Sequence, residues 1–131
     1  MADGVSAEVR SIVAARADHL CEYCLVAAED TFFGCHVDHI ISIKHRGETK
    51  LDNLAYACAF CNRFKGSDIA SLTSGTRALV RLFNPRIDRW SDHFQLEQLS
   101  IQPRTEIGEV TARMLRFNEN ERILERQELN R

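Results

Sequence analysis

Two CxxC pairs, Cys21-Glu22-Tyr23-Cys24 and Cys58-Ala59-Phe60-Cys61, constrain this chain more than any other feature. Each pair lets two thiolates converge from one turn, and two such turns complete a closed tetrahedral zinc site. The other readings are a redox CxxC or buried free thiols; two evenly matched pairs favour zinc. Four sulfur ligands leave no open coordination position, so this metal is expected to hold the fold and not to activate water. Residues 25–57 separate the pairs, more than a compact zinc ribbon contains, so a substantial element must be threaded between them. Cys35 is left over, and a buried or idle thiol is its expected role.

A metal reading fits the composition. The 131 residues are 44% hydrophobic and 27% charged, which suits one domain over 1–131 with a modest core. No run approaches the roughly 20 apolar residues of a membrane span, and MADGVSAEVRS lacks the apolar stretch of a secretory signal. A reducing, cytoplasmic setting is therefore expected, where five cysteines are not disulfides. The net charge of −2 carries no global nucleic-acid signal. Residues 1–34 are acidic, whereas 35–66 and 77–104 are mildly basic, which permits phosphate contacts without demanding them.

Apolar spacing predicts a helix from Ser6 to Leu20, capped by Ser6, with Val9, Ile12, Val13, Arg16, Ala17 and Leu20 along one face. Phe32, Phe33, Val37, Ile40, Ile41 and Ile43 suit a β-hairpin or extended pair. HRGETKLDN reads as a loop with Gly47 its flexible point. A short helix is expected after the second CxxC, another over Thr73–Phe83, and a strand or hairpin over 93–104. The tail from Glu106 reads as helical, with a break near Asn118–Asn120. Trp90, His93 and Phe94 are expected to form a C-terminal mini-core, with nucleic-acid contact the lesser alternative.

The threaded element carries His36, Asp38, His39 and Asn53, and Asn62 follows the last cysteine. With the zinc already satisfied, these residues need another explanation. Asp38 and Asn62 offer oxygen donors, which suit a hard cation such as Mg²⁺ or Mn²⁺. His39 can be neutral near pH 7 and take a proton from water. A hard cation beside a general base is what phosphodiester hydrolysis requires. Each residue alone is weak evidence; an isolated His is more often a surface or core residue, and Asn53 before Leu54 also reads as a loop cap.

The ordered set is far more specific. CxxC, then His-Val-Asp-His-Ile-Ile, Leu-Asp-Asn-Leu and Cys-x-x-Cys-Asn-x-x-Lys-Gly resemble the HNH endonuclease family, most strongly over the core 21–66. RLFNPRIDRWSDHF resembles the C-terminal extension of small stand-alone bacterial members, which implies a complete domain whose extension runs from about 77 to 131. The resemblance implies an α+β fold: a ββα-metal core stapled by the structural zinc, with flanking N-terminal and C-terminal helices. It further implies His39 as general base and Asp38 as metal ligand. Asn53 would order the loop through backbone hydrogen bonds, and Asn62 would complete the metal site. Lys65 and Arg63 would face phosphate, Lys65 the stronger candidate. DNA is the implied partner, cut to 5′-phosphate and 3′-hydroxyl ends.

Two positions depart from the family pattern. Ser42 stands where Pro often follows the Asp-His-Ile-Ile run, and Arg46-Gly47 replaces a common Gly pair. Both bear on loop shape and neither removes a reacting group, so activity is expected to survive. His36 lies on the Asp38 side of a regular strand, where it either contacts DNA or a metal-bound water or is merely exposed or strand-pairing. The rival to the enzyme is a non-enzymatic zinc module that binds DNA or protein. Cut-site specificity and oligomeric state have no signature in the residues.

Overall fold

The computed structural model describes residues 4–127. Helix α1 (Ala7–Arg16) starts where the Ser6 side chain accepts from the Val9 amide, and it buries Val13 and Ala14. The chain then turns through the first CxxC, closed by Cys21 N donating to Val26 O and Leu25 N to Cys21 O. Strands β1 (Cys35–His39) and β2 (Leu54–Cys58) pair antiparallel, with Cys35 opposite Cys58, Asp38 opposite Ala55 and His39 opposite Leu54. Helix α2 (Ala59–Lys65) follows without a break, its N-cap being Cys58, whose sulfur accepts from the Cys61 amide. In the first CxxC the Cys24 amide makes the same bond to Cys21, so both pairs are wound alike.

The remainder forms two further hairpins and three helices. Strands β3 (Ala70–Leu72) and β4 (Leu79–Arg81) pair antiparallel, as do β5 (Phe94–Glu97) and β6 (Ser100–Pro103). Helix α3 (Trp90–His93) precedes β5, and α4 (Glu106–Met114) and α5 (Asn120–Gln127) close the described chain. Helix α4 approaches α3 so closely that a Cβ on Gly108 would lie 2.1 Å from His93 O. Among the described residues no helix is long and apolar enough to cross a membrane.

One buried cluster contains all four paired cysteines together with Tyr23, Phe83, Phe94, Ile101, Val110, Leu115 and Phe117. The expected C-terminal mini-core is therefore not separate. Phe94 packs on Trp90, Phe83 and Phe117, and the Trp90 indole donates to Tyr23 O inside the first CxxC at 2.8 Å. A smaller cluster of Val5, Val13, Val37 and Leu54 joins α1 to the back of the β1–β2 pair.

Several expectations require correction. Thr73–Phe83 is not a helix but holds the turn and the second strand of the β3–β4 hairpin. Thr73 and Thr76 hydroxyls bond each other at 2.8 Å, Thr73 also accepts from the Ala78 amide, and Arg77 takes a positive φ of 60°. This Ser/Thr turn chemistry overrides the helix propensity of the flanking Leu, Arg and Ala. Phe32 and Phe33 precede β1 and are exposed, and Ile43 lies in a 3-10 turn after it. The predicted first helix ends at Arg16, because Asp18 and His19 adopt positive φ. Ile12 points to solvent, so its predicted face is rotated toward Val13 and Ala14. Asn118 interrupts the tail as expected, its amide bonding both the N–H and C=O of Ile101.

The shared core makes the cysteine cluster a condition of folding. Cys58→Ser is expected to cost more than about 3 kcal/mol or abolish folding, because a structural metal contributes folding free energy directly. Cys35→Ser should melt close to wild type. Thermal denaturation of both checks this, and an unchanged melting temperature for Cys58→Ser would contradict it.

Candidate metal centre and active site

The Sγ atoms of Cys21, Cys24, Cys58 and Cys61 lie within 4.8 Å of one another, and all four residues are buried. Cys24 and Cys58 sulfurs are 3.6 Å apart. Ligands at the usual Zn–S distance of about 2.3 Å stand about 3.8 Å apart in a tetrahedron, so the cluster fits that metal. Burial pushes the Cys21 and Cys61 thiols well above their ordinary value. Four thiolates at this position would require a cation among them, and the cluster could hold a divalent metal such as zinc in that place.

A second group of polar residues lies along β1 and α2. Asp38 is 4% exposed although it is charged. The Tyr23 hydroxyl, from inside the first CxxC, donates to Asp38 Oδ2 at 3.0 Å. Lys65, 2% exposed on α2, places its ammonium 3.1 Å from Oδ2 and 3.4 Å from Oδ1 and also donates to His39 O. Asn62 Nδ2 is 3.5 Å from Asp38 Oδ1. Burial raises the Asp38 pKa above its ordinary value, and Lys65 and Tyr23 offset only part of that rise.

The loop over residues 40–53 is fastened by Asn53. Its Oδ1 accepts from Ile41 N, its Nδ2 donates to Ile41 O and Glu48 O, and its carbonyl accepts from Ile40 N, all between 2.8 and 2.9 Å. The loop closes on itself so tightly that a Cβ on Gly47 would lie 1.7 Å from Ile41 O. Lack of space, not flexibility, selects glycine there; Arg46 carries the left-handed φ of 72°. The loop delivers Thr49, whose hydroxyl is 2.9 Å from His39 Nε2.

Asp38, His39 and Asn62 line one open cleft of about 560 Å³ together with His36, Ser42 and Thr49. His36 is exposed there. Asn53 stands behind the cleft as a fastener. Lys65 points inward to Asp38, and Arg63 is exposed with its guanidinium 4.9 Å from the centre of the Phe64 ring. The donor set of Asp38 carboxylate and Asn62 amide suits a hard divalent cation, since the amide group can present either its oxygen or its nitrogen. Sequence reasoning missed three partners: Tyr23, Thr49 and the inward role of Lys65. Tyr23 sits between two cysteines, where an aromatic reads as filler; Thr49 is an ordinary loop hydroxyl.

Residues 21–68, which hold both CxxC pairs, β1, β2 and α2, match the family model for HNH endonuclease. No curated protein and no solved structure matches the chain. The family match supports a nuclease-type, metal-binding protein.

The buried Lys65–Asp38 pair has a measurable signature. Lys65→Met leaves an unpaired carboxylate in the interior and is expected to cost about 3–5 kcal/mol. Adding Asp38→Asn should restore most of that stability. Denaturant unfolding of the two variants without added magnesium or manganese checks the coupling, and additive losses would contradict it.

Proposed function

We propose that this protein is a metal-dependent DNA endonuclease, with β1, β2 and α2 as its ββα-metal core. The observation that carries the reading is that Asp38, His39 and Asn62 open into one cleft beside a separate, closed four-cysteine cluster. The match of residues 21–68 to HNH endonuclease agrees with it. The core and the C-terminal extension are read as one unit, which their common buried cluster supports.

In this reading His39 is the general base. With Nε2–H donating to Thr49 Oγ1, the proton is held on that nitrogen and Nδ1 is left as the acceptor for a proton from water. Asn53 fixes the loop that carries Thr49, and so fixes the imidazole. Asp38 and Asn62 would hold Mg²⁺ or Mn²⁺, which would supply positive charge to offset that on the scissile phosphate and the leaving 3′ oxygen. Tyr23 and Lys65 hold Asp38 Oδ2 at 3.0 and 3.1 Å, whereas the contacts of Oδ1 are longer, 3.4 Å to Lys65 and 3.5 Å to Asn62, which makes Oδ1 the freer ligand atom. Attack in line with the 3′ oxygen leaves 5′-phosphate and 3′-hydroxyl ends. His36 at the cleft wall and Arg63 on the exposed face of α2 are assigned to the DNA backbone. Lys65 is assigned to Asp38 in place of a direct phosphate contact, because its ammonium is buried against that carboxylate.

Plasmid cleavage paired with metal analysis tests the proposal. His39→Ala is expected to retain the zinc and the melting temperature of wild type while losing at least about 100-fold in Mg²⁺- or Mn²⁺-dependent cleavage. Equal cleavage by both proteins would remove His39 as the base. A wild type inert with every divalent cation and DNA form would favour a non-enzymatic zinc module.

A further inference from the structure

Arg122 of α5 is 1% exposed, yet among the described residues no carboxylate lies within ion-pair distance of it. A guanidinium does not stay charged in a protein interior without a counter-charge. What stands beside it is the cysteine cluster. Arg122 Nη2 is 2.9 Å from Cys61 Sγ and 3.7 Å from Cys58 Sγ. Nη1 donates to Leu115 O, and the guanidinium carbon lies 5.4 Å from the Phe60 ring centre and 5.9 Å from that of Phe117. These contacts lock the group in place over the sulfurs. Four thiolates around one divalent metal carry a net charge of −2, buried in the main core. That surplus stands at hydrogen-bond distance from the guanidinium, whereas the buried Glu125 carboxyl on the same helix attracts it from beyond ion-pair distance.

We propose that Arg122 is the outer counter-charge of the metal–thiolate centre, bonding Cys61 through N–H···S and thereby retaining the metal and docking the C-terminal helix on it. Arg122 enters the sequence 61 residues after the cysteine it touches, so no motif contains it. Arg126, on the same helix, supplies the control. It is equally buried but donates to Leu99 O and Phe117 O, and no sulfur is among its partners. Both arginines lie within electrostatic reach of the cysteines, but of the two it is Arg122 that donates to sulfur.

The inference rests on the reading that the four cysteines bind a divalent metal, and the test separates the two. Full-length wild type, Arg122→Met and Arg126→Met are loaded with zinc for chelator-driven release and with Co²⁺ for absorption spectroscopy. An N–H···S bond lowers the energy of the sulfur lone pairs. Removing it from Arg122→Met is expected to move the sulfur-to-cobalt charge-transfer band to longer wavelength and to speed zinc release at least tenfold. Arg126→Met should keep the wild-type band position even where it melts lower. If Arg122→Met does not fold, Arg122→Leu, which likewise has no N–H to donate, carries the same two readouts with the same expectation. A wild type that binds no metal through four sulfurs would overturn the metal reading itself. A metal-loaded wild type whose band and release rate are shared by the Arg122 variant would overturn the role of Arg122 alone.

Discussion

Everything else in the structure depends on bringing four cysteine sulfurs together in a buried position. Thiolates at such short separation repel one another, and burial disfavours their charge, so four thiolates here would need a cation at their centre. Once closed, the cluster fixes both ends of the β1–β2 element. Cys21 and Cys24 hold the chain before it, and Cys58 is at once the last residue of β2 and the N-cap of α2. The strand pair has only five residues on each side and would be marginal alone.

The cluster also reaches the cleft through covalent neighbours. Tyr23 lies between the first two cysteines and donates to Asp38. Asn62 and Lys65 follow Cys61 on α2, so the helix that begins at the cluster brings both to the same carboxylate. A closed sulfur site and an open oxygen site are thus held a few residues apart with opposite chemistry. The four sulfurs of the first are buried and would leave no open position on a tetrahedral metal. In the second a carboxylate, an amide and an imidazole line one open cleft.

Much of this was legible in the residues because it depends on spacing. The CxxC pairs, the Asp38–His39 segment and Asn62 each announce themselves by type and order, whereas the backbone bonds that Asn53 makes to Ile41 had only the family resemblance to suggest them. What was illegible depends on contacts distant in sequence or on competing local chemistry. The β3–β4 hairpin was hidden because Leu, Ala and Arg around TSGT read as a helix until the threonine hydroxyls close the turn. Gly47 looked like a flexible joint, whereas the backbone beside it leaves no room for a Cβ. Lys65 was expected to face phosphate, and nothing in its sequence neighbours reveals that its ammonium turns inward to Asp38.

The central claim is that the chain holds two metal sites of different kinds, one closed and one open. Titrating Mn²⁺ into the zinc-loaded protein while following electron paramagnetic resonance and zinc content tests it most directly. The account predicts one tightly bound manganese per chain, with the zinc retained and the bound signal lost in Asp38→Asn. Manganese that displaces the zinc, or that binds equally well without Asp38, would contradict the division into two sites.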